Sequence, residues 1–153
     1  MNIRKAKIKD LSDMDKIDTL GSQLNRYSGL DKLKTNLKSD TANKYYRKFV
    51  YGKKKWAYVA EDNKNIVGFI LFNIEKRPSY YRFDTVGYID LVVVAKKHRG
   101  KGISRLLMEK AYEVFKKQGI KYLKLTAHIE NPAHKVWKKH EFKDYNTDMW
   151  KKI

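Results

Sequence analysis

The chain has 153 residues, 42% of them hydrophobic, and its 35 Lys+Arg against 17 Asp+Glu leave a formal net charge of +18. This length suits a single domain over 1–153 with a real core, and the absence of cysteine excludes a disulfide scaffold, a thiolate metal site and a cysteine nucleophile. No run approaches the ~18 consecutive apolar residues of a membrane span, and Met1-Asn2-Ile3-Arg4-Lys5 alternates at once between apolar and charged residues, so a cytoplasmic protein without membrane partners is expected.

Ile3, Ala6 and Ile8 among charged neighbours predict a short first strand. Asp10 or Ser12 is placed to cap a helix through about Asn25, with Leu11, Met14, Ile17 and Leu20/Leu24 spaced for one buried face. Ser28-Gly29 breaks it, and a second helix with a less regular apolar face falls within 31–48. Residues 56–61 read as a strand, Asp62-Asn63-Lys64-Asn65 as a tight turn, and 66–75 as the return strand of a hairpin. Residues 77–81 form a loop rich in aromatics. A long strand follows over 86–94, whose end, Leu91 to Val94, is apolar without alternation, as in a strand buried on both faces.

The clearest helix starts after Gly102 and runs to about Gln118. Ile103, Leu106, Leu107, Ala111, Val114 and Phe115 fall on one stripe, and Gly119 is a natural stop. Residues 122–127 read as a strand. Asn131-Pro132 is a helix start, an Asn cap followed by Pro in the first turn, and that helix runs to about His140. A last strand or two is expected over 142–151. The order of elements predicts a mixed α/β (α+β) fold with a central sheet.

Chemistry converges on the passage from the buried strand into the helix at Gly102. Gly100 and Gly102 let the backbone turn tightly and approach a ligand without an intervening Cβ. Free N–H groups at the helix start form an anion nest, reinforced by the helix dipole. Arg99 and Lys101 add charge and Ser104 a hydroxyl donor, so a phosphate or pyrophosphate is the expected ligand. The spacing fits neither a P-loop nor a dinucleotide fingerprint, where Arg105 would have to be glycine. A lone Gly-x-Gly leaves a plain helix start open as the alternative.

The run Val94-Ala95-Lys96-Lys97-His98-Arg99-Gly100-Lys101-Gly102-Ile103-Ser104 resembles the acetyl-CoA signature of the GNAT superfamily of N-acetyltransferases. The element order resembles it too, as does Asn131 followed by an aromatic and the closing Glu141-Phe142. Lys97 stands where the signature has Arg or Gln. The resemblance implies a mostly antiparallel central sheet of six to seven strands flanked by about four helices. It implies acetyl-CoA as co-substrate, an amine as acceptor, and transfer by direct attack on the thioester. Backbone groups of Val92, Val93 and Val94 would then pair with the pantetheine arm. Amides of Arg99, Gly100, Lys101, Gly102, Ile103 and Ser104 would hold the pyrophosphate, and Asn131 would fix the cofactor near the thioester, with a simple helix cap as the alternative reading of Asn131.

A protonated amine, of pKa about 10, cannot attack a thioester until it loses a proton. Asp90, in an otherwise apolar strand, is the preferred proton acceptor, with pairing to a lysine as the plain alternative. Tyr88 lies on the same strand face and can relay a proton; Glu75 is a weaker rival base. Many family members carry a Tyr five residues before the closing Phe as general acid. Trp137 stands there, and its indole N–H is not a useful acid. Tyr145 or His134 then substitutes, or the thiolate leaves unassisted. The four histidines lack a carboxylate at ligand spacing, so no metal is expected. Tyr27, Tyr80 and Tyr81 lie in segments that line the acceptor groove in this family and can cradle an amine by cation–π contact.

Two rival functions follow from the same residues. The charge of +18 and the interleaving of aromatic and basic residues from Arg77 to Phe83 suit a nucleic-acid binder, although no helix-turn-helix, zinc finger or RNA-binding aromatic motif is present. Trp137 suits a relative that binds acyl-CoA without turnover. The acceptor stays open among small-molecule amines, protein N-termini and lysines, and edge strands leave a homodimer open.

Overall fold

The computed structural model of the protein describes residues 1–17, 39–149 and 151. Strand β1 (Asn2–Lys5) leads through a 3-10 turn, Ile8–Asp10, into α1 (Leu11–Ile17). Helix α2 (Ser39–Tyr51) precedes the hairpin of β2 (Lys55–Asp62) and β3 (Asn65–Lys76), then β4 (Thr85–Val94). A 3-10 turn, Lys96–His98, enters α3 (Ile103–Lys117), followed by β5 (Leu123–Leu125) and α4 (Ala133–Lys139). The expected limit of the first helix at Asn25, its break at Ser28-Gly29, the start of the second helix, and Tyr27 lie outside the described residues.

The five strands form one sheet in the order β1-β2-β3-β4-β5. The first three pairs are antiparallel and β4–β5 is parallel. The hairpin turn is as tight as the sequence implies: Asp62 pairs with Asn65, and Asn63 and Lys64 both take positive φ, 47° and 65°. Two left-handed residues match the right-handed twist of the flanking strands, and Asn tolerates that conformation.

Two layers of helix sandwich the sheet. One face sends Ala57, Val59, Phe69, Leu71 and Val93 against Met14 of α1 and Ala42, Tyr46 and Phe49 of α2. The other sends Val67, Ile70, Phe72 and Ile89 against Ile103, Leu107, Met108, Ala111 and Phe115 of α3. Phe72 is the centre of that second layer, stacked on Trp56 at 5.5 Å and tilted on Phe115 at 5.0 Å. Gly87 is a packing necessity here, because a Cβ on it would come within 2.4 Å of Leu123 and 2.7 Å of Phe115. At the N-terminus the Arg4 guanidinium holds Asp10 at 2.7 Å and Glu61 at 2.7 Å, tying β1, the following turn and β2 together. Burial pushes the Asp10 carboxyl upward, but the Arg4 and Lys7 hydrogen bonds outweigh it and hold the group below its usual range.

The sheet has five strands among the described residues, against the six to seven expected. The described residues of the expected C-terminal strand, 142–149 and 151, form no ladder, and Tyr145 and Met149 stand 87% and 91% exposed. Among the described residues of that stretch only Phe142 packs against the core. Asp144 instead ties the segment back to α4 through His134 at 2.9 Å and Lys138 at 2.5 Å. The strand expected over 122–127 is likewise shorter, ending at Leu125.

Candidate functional site

β5 is too short to cover β4. It pairs only at Gly87, Tyr88 and Ile89, while β4 continues to Val94 with β3 alone beside it. Ala95 donates its N–H to Val67 of β3, so strand alternation aims the N–H and C=O groups of Val92 and Val94 the other way, into the gap beyond β5. The Arg99 side chain, donating to the Val94 carbonyl at 3.1 Å, marks that direction. An open strand edge with alternating donors and acceptors is a template for an extended, amide-bearing ligand.

At the C-terminal end of this edge the chain turns through Gly100 and Gly102, with φ of +78° and +77°. A Cβ at either glycine would meet nothing within 4 Å. These glycines are therefore required by backbone conformation and leave open space above the loop. Gly102 caps α3 and brings no side chain to the task, so the first-turn amides of Ile103, Ser104 and Arg105 keep the donor capacity of a helix N-terminus. Exposed Arg99 and Lys101 flank them. An anionic group fits this cradle on three counts: space, donors and charge.

Asp90 lies midway along β4, where the register with β3 slips: Leu71 pairs with Leu91 but Phe72 pairs with Ile89. Asp90 is the extra residue of this bulge. Ile89 packs with the α3 layer and Leu91 with the α1–α2 layer, so the bulge brings Asp90 round to the face of α2. There Tyr45 donates its hydroxyl to Asp90 Oδ2 at 2.5 Å. Burial holds the Asp90 carboxyl above its usual range, the Tyr45 bond and the Lys55 charge pull it partly back, and Glu75 adds to the rise. The Tyr45 phenol is itself pushed up, first by burial and then by its bond to Asp90, and stays protonated. Asp90 is thus a half-buried carboxyl group whose affinity for a proton is raised by its surroundings.

Tyr88 joins this group. Its hydroxyl contacts Thr126 Oγ1 at 3.3 Å, and the Lys124 ammonium sits 5.2 Å from its ring centroid while pairing with Glu75 at 2.7 Å. Asp90, Tyr88 and Glu75 therefore gather where β4 and β5 part, with Tyr45 the member that the sequence did not reveal. The signal for it was present: Ala42, Tyr45, Tyr46 and Phe49 repeat at helical spacing, but the bond to Asp90 spans 45 residues.

Val93 is buried in the α1–α2 layer and offers the gap no side chain. Asn131 accepts a hydrogen bond from the Ala133 amide at 2.9 Å, but the helix begins one residue later than the sequence suggested, with Pro132 rather than Asn131 at its N-cap. Trp137 packs on the α3 layer and meets Phe142 edge-on at 6.0 Å. Tyr145, nominated as an acid, is 87% exposed on the C-terminal segment, away from any packed surface. His134 is engaged by Asp144. Among the described residues no three His, Cys, Asp or Glu side chains group as metal ligands, and no helix is long and apolar enough to cross a membrane.

A relative in Schizosaccharomyces pombe, N-alpha-acetyltransferase 30, is 30% identical over 97 residues, a stretch covering 62% of this chain and 62% of that protein. The fold overlays on a tetramutant of the BH1408 protein from Bacillus halodurans with a TM-score of 0.83 at 18% identity, covering 100% of both chains. It also overlays on a protein described as a predicted acetyltransferase from Clostridium acetobutylicum, solved with acetyl-CoA, with a TM-score of 0.71 at 23% identity, covering 99% of this chain and 94% of that one. Residues 27–142 match the acetyltransferase (GNAT) family, and with three quarters of its length inside that match the chain belongs to this family.

Proposed function

We propose that the protein is an acetyl-CoA-dependent N-acetyltransferase acting on an amine. The observation that carries this reading is a single open edge of β4 that joins a raised-pKa carboxylate, Asp90, to an anion cradle at Gly100 and Gly102. The C. acetobutylicum neighbour, solved with acetyl-CoA, lends support. In this reading the amides from Arg99 to Ser104 receive the pyrophosphate. The outward backbone groups of Val92 and Val94 receive the amide groups of the pantetheine arm, and Asn131 steadies the thioester end.

Asp90 takes a proton from the acceptor ammonium, directly or through a water, with Tyr88 as relay. The freed nitrogen lone pair forms the new N–C bond at the thioester carbonyl, and the oxyanion is met by the Val92 N–H. Collapse of that intermediate breaks the C–S bond and releases the thiolate, and the nitrogen passes its remaining extra proton to solvent water, leaving the neutral amide. Trp137 packs in the core, and Tyr145 stands exposed. The thiolate therefore leaves without a proton from either, which a thiol pKa of about 8.5 allows.

Calorimetric titration with acetyl-CoA, with NAD and ATP as controls, tests the first half of this reading. Saturable one-site binding selective for acetyl-CoA is expected, and equal weak binding of all three at low salt only would overturn it. Amine-dependent thiol release tests the second half. The packing of Trp137 at the usual Tyr position favours one competing reading, a binder of acyl-CoA without turnover, and tight acetyl-CoA binding with no thiol release under any amine would establish that reading instead.

A further inference from the structure

The loop between β3 and β4 carries aromatic surface that the core does not bury, including Tyr80 and Tyr81, which the sequence suggested as a cradle for an amine. It is closed at its base, where Arg77 donates its N–H to the Asp84 carbonyl at 2.9 Å, and turned at its tip, where Tyr81 donates to Pro78 at 3.0 Å. On this frame Tyr80 packs on Tyr81 with ring centroids 4.8 Å apart, and Tyr80 is still 81% exposed. The Arg77 guanidinium lies 3.7 Å over the Tyr81 ring. Phe83 packs on Tyr122 at 4.1 Å, which extends the patch to the start of β5, and Tyr122 is half exposed.

The cations around these rings are Lys76, Arg77, Arg82 and Lys121; the carboxylates are Asp84, at the loop base, and Glu75, already paired with Lys124. We propose that this patch, built on Tyr80, Tyr81 and Tyr122 with Arg77 and Arg82, is a binding platform for single-stranded nucleic acid. Exposed rings offer π-faces to unpaired bases and the cations track the phosphates, as single-strand binders require. The chain's overall charge of +18 favours a polyanion over a neutral partner. The patch adjoins the N-terminal end of β4 and the Gly100–Gly102 cradle adjoins its C-terminal end, roughly 30 Å apart at about 3.3 Å per residue. The platform therefore stands independently of acetyl-CoA binding.

The test is fluorescence anisotropy with a labelled 12-mer of oligo(U) or oligo(dT), a duplex of equal length, and phosphatidylserine vesicles as competitor. The single strands should bind about tenfold more tightly than the duplex, because charge alone favours the denser duplex while stacking needs unpaired bases. The slope of log affinity against log salt should be near about −3, from four phosphate contacts. Tyr80→Ala should weaken binding about tenfold with an unchanged melting profile, Tyr80→Phe should retain it, and Lys97→Gln, in the acetyl-CoA loop, should scarcely matter. Equal or tighter duplex binding, indifference to Tyr80→Ala, or a larger loss in Lys97→Gln would overturn the proposal. Vesicle binding that outcompetes the oligomers and depends on Tyr80 would assign the patch to membrane surfaces instead.

Discussion

Tyr45 donates a 2.5 Å hydrogen bond to the Asp90 carboxylate, linking α2 to the bulge in β4. The bond favours the charged form of Asp90 and so works against the burial that raises its pKa. Tyr45→Phe keeps the ring and its packing on Phe49 but removes the donor. Asp90 then holds its proton to higher pH, and the acid limb of kcat/KM moves upward. A hydrogen bond to a charged acceptor is worth about 1.5–3 kcal/mol, so the variant should lose roughly tenfold or more on that limb and recover toward alkaline pH. A pH–rate profile that drops uniformly would show Tyr45 to be structural only.

Asp90 itself separates activity from stability. Asp90→Asn keeps an acceptor for Tyr45 but has no basic lone pair for the acceptor's proton, so turnover should fall by about 10²–10⁴ with acetyl-CoA affinity retained. Its effect on the fold has the opposite sign. A carboxyl whose folded pKa exceeds its unfolded value stabilises the fold when protonated, and that contribution disappears as pH rises through the folded pKa. Asp90→Asn should therefore melt higher than the wild type at pH 7, with the gap closing as pH falls below the usual carboxylate range. Thermal melts across that range, beside a thiol-release assay, read both effects; unchanged turnover would remove Asp90 as the base.

The two regions of the site differed in how well the sequence betrayed them. The glycine turn was legible because Gly100 and Gly102 report a backbone need directly, and both take positive φ. The apolar run of β4 and the stripe of α3 were legible for the same reason: periodicity reflects burial. The bulge was not legible. Strict alternation would put Ile89, Leu91 and Val93 on one face, whereas Ile89 packs under α3 and the other two under α1 and α2. A one-residue slip leaves no mark in composition. The C-terminal strand expected over 142–151, absent among the described residues, misled for the opposite reason: Phe142 and Tyr145 suggest a pattern that, of these two, Phe142 alone fulfils.

Gly102→Val tests the cradle. Its Cβ would enter space with no protein atom within 4 Å, so no steric clash with the core follows. The cost to the fold is local, about 1–2 kcal/mol for a side chain in the left-handed region. The cost to binding is larger, since the new methyl groups would stand over the amides proposed to meet the pyrophosphate. Acetyl-CoA affinity should fall on the order of hundredfold, or about 3 kcal/mol, while circular dichroism keeps the native spectrum. Unchanged affinity in a folded variant would dissociate the glycine turn from acetyl-CoA.

Gly87→Ala probes the seat of β5. The added methyl would strike Leu123 and Phe115 at once, and Phe115, fully buried against Phe72, has no room to retreat. Overpacking of this kind costs about 1–3 kcal/mol. The strain falls on the three-residue pairing of β4 with β5, which sets the mouth of the gap beside Tyr88. Melting temperature and amide exchange at Leu123 to Leu125 should both report loosening; a variant as stable as the wild type would mean that β5 shifts freely.

The ends of α3 and α4 offer a last test, because they are built alike from different residues. After α3, Gly119 takes φ +72°, its N–H donates to Lys116, and Ile120 donates to Phe115. After α4, Glu141 takes φ +65°, its N–H donates to Lys138, and Phe142 donates to Trp137, with the two rings in contact. Both are left-handed helix stops with an apolar clasp, but only one uses the residue that the conformation favours. Glu141→Gly removes the Cβ strain at the cost of a freer unfolded chain, and the net should be a gain of about 1 kcal/mol. For a chain of this size that raises Tm by about 2–4 °C. Glu141 is exposed and absent from the proposed chemistry, so acetyl-CoA affinity should hold. A lowered Tm would mean that the Glu141 side chain contributes more than its backbone strain removes.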